Sequence, residues 1–554
     1  SDVCSSDLVR MMLDELQGTM GIEFVFESGT YHFYPDYAVE KTLYISNHDE
    51  DVPKRIAFDF SGWRKVKIRG EGAVFLFHTD ILPFHLDRCQ EILIEGITID
   101  YERTGYSEGE IVELSGKRMV LRIDRKEYPY RVFHGELYFE EEGAYHPLYY
   151  GCLEMDRRRN APVYQGRDIS FNRPYPSSYG AVFREAGENL VEVTLTEDQQ
   201  FPETSREGNR MILRHHLRTH PCFYITRSEG ITLRDITIYH CTGMAVISQF
   251  TKDITIERVC LVRHPQKDRI FTATADGFHF VYAGGKIHIK NCVLENQLDD
   301  PVNIHGIYGR IHKVTSKREV IVELVEGMQK GVLLGTAGDY FAVIDNRTML
   351  EQEHAVITEI TWMNSDYQRI VFAEDMENLI PGFVVENQSW VPDVLIEGCT
   401  FRNNRARGLL LTSAGDVLVR DNTFETPGAA ILIEGDSNYW FESGATRHIV
   451  IEGNRFHQCA YVSAWGKAPI QVSPSALVWE KDRRYHQYLE VRGNVFQCCD
   501  DRLVNAVNLK KLVFLDNKIE RTTVFEPIKG QALELDGVLE VETDINKQSG
   551  DMSR

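Results

Sequence analysis

What the chain lacks narrows its chemistry before any motif is read. No apolar run approaches the roughly 18 residues that a membrane-spanning helix needs, so no segment is expected to cross a bilayer. Positive charge is scarce: 61 Lys and Arg stand against 83 Asp and Glu, a formal net charge of -22. Phosphate recognition rests on Lys and Arg, so nucleic acid and anionic membrane surfaces are disfavoured and neutral partners favoured. A polyuronate substrate is weakly disfavoured on the same ground. Neither a CxxC pair nor a Cys/His cluster with zinc-site spacing is present, and the 11 cysteines are an odd number, so no metal site, cofactor or disulfide framework is indicated. Mostly buried thiols are expected. Ser1 to Leu8 reads as a scar with no export signal, which leaves a secreted or periplasmic location as an expectation from function alone.

What is present is a repeat. The template runs apolar, any, apolar, any, any, small or amide, any, apolar, and its copies begin at Ile92, Ile231, Ile254, Ile287, Val394, Val417, Ile449, Leu489 and Leu512. Several neighbours, such as Ile231 and Ile254, are 23 residues apart. Two short alternating strands around a turn at that period suit one coil of a parallel β-helix. Asn422, Asn454, Asn494, Asn517, Cys292 and Cys399 hold the sixth position, where stacked amides or thiols fill the inside of a bend. Gly398, Gly453 and Gly493 precede it, as a turn with positive φ requires. A leucine-rich horseshoe would need a regular leucine pattern that is absent.

The expected fold is therefore all-β: a right-handed parallel β-helix with two inserted antiparallel β domains and a short N-terminal capping helix. Residues 1–20 hold the scar and the cap, since Val9 to Gln17 has amphipathic helical spacing and an open end of the coil stack needs covering. A partner-binding helix is the alternative for that segment. The β-helix then occupies 21–102, 223–307 and 391–554. Its interruptions, at 103–222 and 308–390, carry alternating segments such as Ile111 to Asp124 and Arg318 to Glu326 and read as small barrels or sandwiches, the second as barrel-like. Walling a cleft or joining subunits is their expected role, with carbohydrate binding as the alternative; oligomeric state is not legible.

One constellation stands outside the repeat. ADGFHF (Ala275 to Phe280) precedes NQLDDPVNIHGIY (Asn296 to Tyr308), so Asp276 and Asp299 are 23 residues apart, one coil, with Asp300 adjacent. That spacing places Asp276 over Asp299 at an axial offset of roughly 4.8 Å. Clustered carboxylates raise one another's pKa, which suits glycosidic cleavage, where one acid protonates the leaving oxygen and ionised partners activate water. A calcium site or an Asp ladder is the bland alternative, but a ladder would recur through the coils. His279, Asn303 and His305 are placed to bond sugar hydroxyls. Downstream, Arg405 and Arg407 approach the same coil face, and surface charge is their other reading. Trp440 offers a stacking platform or a core residue, and Glu442 a hydroxyl acceptor.

At ADGFHF, LDDPVNIHG, NRARG and WFESG, and at SNHD (Ser46 to Asp49), the sequence resembles glycoside hydrolase family 110, the inverting exo-α-1,3-galactosidases known for acting on blood group B determinants. The resemblance spans most of the chain. It implies a metal-free inverting mechanism carried by Asp276, Asp299 and Asp300 on an α-galactoside-terminated glycan. More distantly the chain is similar to the family 28 polygalacturonases, whose three-aspartate pattern implies Asp299 as acid with Asp276 and Asp300 activating water. It lacks their Arg-Ile-Lys signature and reads Ile304-His305-Gly306 where they have Gly-His-Gly, so a neutral galactoside is preferred. Another β-helix glycosidase, or a β-helix adhesin that holds glycan without cutting it, is the competing reading.

Overall fold

A computed structural model describes residues 5–48, 52–174, 178–196, 198–528 and 530–545. Two long sheets run the length of the chain, one of 19 strands from Glu23–Val25 to Glu540–Thr543 and one of 13 strands from Val39–Thr42 to Leu533–Asp536. Nearly all their pairings are parallel and join successive coils, which makes the chain a right-handed parallel β-helix.

Register explains why the repeat is legible. Ile92, Ile231, Ile254, Ile287, Val394, Val417, Ile449, Leu489 and Leu512 pair in one unbroken file. Every one of them is buried, because alternate residues of a strand face the same side and this side lines the interior. Phe401, Phe424, Phe456 and Phe496 form a second file, with successive ring centroids 4.8–5.3 Å apart.

At the bend between these files the amides bond to each other. Asn454 accepts on Oδ1 from both the backbone N and Nδ2 of Asn422, each at 3.0 Å, and donates in turn to Oδ1 of Asn494, which donates to Asn517. Each Nδ2 also reaches a strand carbonyl, so this buried polar file is satisfied throughout. Gly398, Gly453 and Gly493 have φ near +60°, and Asp421 and Asp516 share that conformation at the same place in neighbouring coils.

The two interruptions are separate β units with their own cores. The first is built on a seven-stranded antiparallel sheet, Ser107–Ser115 through Arg210–Leu213, with a three-stranded sheet over Tyr130–Pro147. A closed six-stranded barrel between Gly309–Ser316 and Val384–Asn387 forms the second. Both leave the coil stack without disturbing it: Ile92 pairs with Ile231, and Ile287 with Val394, as directly as Ile231 pairs with Ile254.

The capping helix spans Ser5–Leu16, so it begins inside the stretch read as a scar rather than at Val9. Val9 and Leu13 are buried on the first coil while Leu8 and Met11 stay exposed, the one-sided pattern of a lid on an open core. The ten described cysteines are all free, eight of them buried.

Candidate active site

Strand Phe278–Val281 pairs with Val302–Ile307 in the register Phe278 to Val302. Asp276 is therefore level with Asp300, not with Asp299. The intact-coil spacing gave the wrong partner because a β-bulge between Gly284 and Ile287, where three residues' advance faces two from Lys252 to Ile254, adds one residue to this coil. Gly277 donates its N–H to the Asp300 carbonyl at 2.9 Å and packs so tightly that a Cβ there would collide with Leu294 and the Pro301 carbonyl. Within the strands, Phe278, Phe280, Val302 and Ile304 turn inward, which sends His279, Asn303 and His305 to the outer face.

The three carboxyls sit in different surroundings. Asp299 is the most open, its side chain 16% exposed against 5% for Asp276 and 3% for Asp300. It lies between Arg218 Nη1 at 3.2 Å and Arg405 Nη1 at 3.1 Å. Burial works against its ionisation, but Arg405, Arg218, Arg407 and Arg214 outweigh it and hold this carboxyl below the usual carboxylate range. Asp300 accepts from the backbone N and Nε of Arg407 on one oxygen, at 2.9 and 3.2 Å, and from Nη2 on the other at 2.7 Å. Burial still pushes it up to about 6, with Arg407 opposing and Asp299 and Asp276 adding.

Asp276 is raised well above its ordinary value, first by burial and then by Asp299. Its Oδ2 is 2.7 Å from His279 Nδ1, and His279 Nε2 is 2.7 Å from His305 Nε2. His305 Nδ1 lies 2.6 Å from the Gly306 carbonyl, which only accepts, so that nitrogen carries a proton. Asp276, His279, His305 and the Gly306 carbonyl thus form one continuous hydrogen-bonded chain. Burial lowers the His279 pKa and keeps that ring neutral. Nearby arginines thus favour the ionised form of Asp299, whereas burial and Asp299 itself favour a proton on Asp276.

The remaining predicted residues divide. Asn303 is buried and level with His279 in the ladder. Glu442 accepts from Asn47 Nδ2 at 3.0 Å and lies 3.5 Å from His305 Nε2, so it joins the network. Arg407 grips Asp300. Arg405 is no surface charge: it ties Asp299 to Asp168, 2.7 Å away, and its guanidinium lies 5.7 Å from the Trp465 ring. Trp440 is not core; it is 39% exposed, packed edgewise on Tyr439, in a turn whose N–H groups bond Asp436.

Sequence reasoning missed Arg218, Arg214, Asn47, His48 and Glu434. Arg214 and Arg218 return from the first inserted unit in a segment without a motif. Asn47 and His48 lie within SNHD, of which Asp49 falls outside the described residues. Glu434, pushed up to about 7 by burial against the pull of Arg407, faces the same arginine as Asp300. A cavity of about 620 Å³, lined by Gly306, Glu386, Arg447 and Tyr485 among others, adjoins the network through His305.

Three carboxyls of unequal proton affinity are thus gathered on the outer face of a parallel β-helix, two of them held by arginine side chains. Comparisons with known proteins find relatives along nearly the whole chain. A model described as "GLAA-B beta-barrel domain I" matches residues 107–210, and one described as "Right handed beta helix region" matches 381–536. "Alpha-1,3-galactosidase B" of Bacteroides thetaiotaomicron is 27% identical, covering 98% of this chain and 88% of its own. "Alpha-1,3-galactosidase A" of Shewanella woodyi is 27% identical, covering 92% and 83%. Among solved structures, a family 28 exopolygalacturonase of Yersinia enterocolitica superposes with a TM-score of 0.38 at 10% identity, over 97% of this chain and 75% of that one. The α-1,3-galactosidase resemblance read in the sequence is thus matched by relatives of that name along most of the chain.

Proposed function

We propose that the protein is an exo-acting glycoside hydrolase that removes terminal α-1,3-linked galactose from glycans with inversion. The observation that carries this reading is the grouping of Asp276, Asp299 and Asp300 in one arginine-braced cleft, in a chain whose relatives are named for that activity. Asp276 and Asp300, level on adjacent coils and deeply buried, hold and deprotonate the water. Asp299, the most open of the three, faces the departing oxygen and protonates it. For that step Asp299 takes up the proton that Asp276 holds, once sugar hydroxyls draw Arg218 or Arg405 away and remove the charge that keeps it ionised, and Asp276 is left as the carboxylate that accepts a proton from the water. The neutral His279 and Asn303 on the same outer face supply hydroxyl contacts. An exported location accords with a glycan substrate.

Proton NMR of the newly released sugar tests inversion: β-galactose appears first, and initial α-anomer overturns the mechanism. Comparing natural disaccharide with an activated aryl galactoside tests the roles. Asp299→Asn should regain far more activity on the aryl substrate than Asp276→Asn, because a good leaving group needs no acid; the opposite pattern reassigns the acid. Hydrolysis of the branched blood group B trisaccharide beside linear α-1,3-galactobiose shows whether a fucose branch is accepted.

A further inference from the structure

A second polar cluster lies outside the cleft, where three separate stretches of chain meet. Asp80 comes from the turn between strands Arg64–Phe77 and Leu82–Asp87 of the β-helix. Glu141 ends strand Glu136–Glu141 of the first inserted unit, and His216 belongs to the segment returning from that unit. His216 Nε2 is 3.1 Å from Asp80 Oδ2 and 3.5 Å from Glu141 Oε2, and one ligand atom from each of the three residues lies within 4.8 Å of the others. The other ring nitrogen, Nδ1, is 2.6 Å from the Leu217 carbonyl and must donate to it. That bond leaves Nε2 as the nitrogen facing the two carboxylates, the orientation a metal-bound histidine receives from its outer partner, and a bound cation takes the place of the Nε2 proton, which is released to solvent. Glu141 Oε2 is shielded from solvent yet accepts no hydrogen bond. A cleft of about 560 Å³, lined by these three residues with His146 and His220, gives a small ion and its waters a way in.

We propose that Asp80, Glu141 and His216 bind one divalent transition cation of the zinc class. One imidazole and two carboxylates form a mixed N/O set, which suits Zn²⁺ better than Ca²⁺ or Mg²⁺, whose sites are built from oxygen. The ion clamps the inserted unit and its return segment to the early coils. Thr219 bonds Asp80 Oδ2 at 3.3 Å and Arg218 reaches Asp299 at 3.2 Å, so the clamped segment is the one that delivers an arginine to the carboxyls. The competing arrangement is a metal-free triad in which protonated His216 bridges the two acids.

The full chain, stripped with chelator and dialysed, should take up Zn²⁺ in a calorimetric titration at one equivalent. Co²⁺ should give ligand-field absorption that saturates at one equivalent and is displaced by Zn²⁺. Glu141→Gln and His216→Ala should each weaken binding by more than about tenfold, with circular dichroism confirming that they fold. Should either variant fail to fold, the Co²⁺ spectrum of the unaltered chain decides. No saturable uptake at one equivalent, or uptake unchanged in both variants, overturns the proposal in favour of the ion triad.

Discussion

Two polar files run along the same coil stack and obey opposite rules. The amide file, from Asn422 to Asn517, is closed: every carbonyl oxygen has its donors and every Nδ2 its acceptors, at 2.9–3.0 Å. The carboxyl and histidine file at Asp276, His279 and Asp300 is open, with buried acids raising one another's proton affinity and groups left to bind something else. Both are buried polar rows on parallel coils. The difference teaches that repetition makes such a row structural, whereas a row occurring once, with charges that do not cancel locally, stores chemistry at the expense of stability.

Breaking the open file should cost the most activity. Asp299→Asn is expected to lower kcat by about 10²–10⁴-fold while glycan affinity stays near its original value, measured by turnover and calorimetry. Undiminished turnover would remove the acid from the mechanism. Next, Arg407→Lys replaces a two-pronged grip on Asp300 with a point charge, and kcat/KM should fall by roughly 10- to 100-fold. The sign of its pH effect is fixed: weakening a favourable cation lets the Asp300 pKa rise from about 6, so the limb of kcat/KM that increases with pH moves to higher pH.

The closed file should respond only in stability. Asn454→Ala leaves the N–H and Nδ2 of Asn422 without their acceptor and should cost about 1–3 kcal/mol in denaturant unfolding, with kcat unchanged. A loss of kcat in that variant would erase the distinction between the two rows. The subtlest sharpening comes from Asp276→Asn. The folded-state pKa of Asp276 is raised, so its stabilising contribution is complete below the ordinary carboxylate range and is lost as pH climbs toward the folded value. The variant should therefore gain on the original chain as pH rises above the ordinary carboxylate range, read as a diverging Tm.

These two files also mark how far a sequence can be read. The amide row and its flanking apolar positions were legible because coils repeat them, and all nine template copies fall in one register. The inserted units announced themselves as interruptions, but their topology was not readable from strands of similar alternation. In the cleft, motif residues were found and their pairing was not: Asp276 is level with Asp300 because a β-bulge between Gly284 and Ile287 adds a residue that the spacing of the intact coils does not contain. Arg218, His216 and Glu141 were invisible for a different reason. Each acts with partners far away in the chain, and nothing local distinguishes them from the other charged residues around them.

The direct pairing of Ile92 with Ile231 has a kinetic side. Joining those two strands closes a loop of more than a hundred residues, yet loop-closure entropy grows only logarithmically, by about 0.6 kcal/mol per doubling. Because the first inserted unit has a core of its own, it is expected to collapse first and hold its two ends near each other. Assembly of the solenoid then proceeds past it as though the interruption were short, and the slow step shifts to whichever unit condenses last.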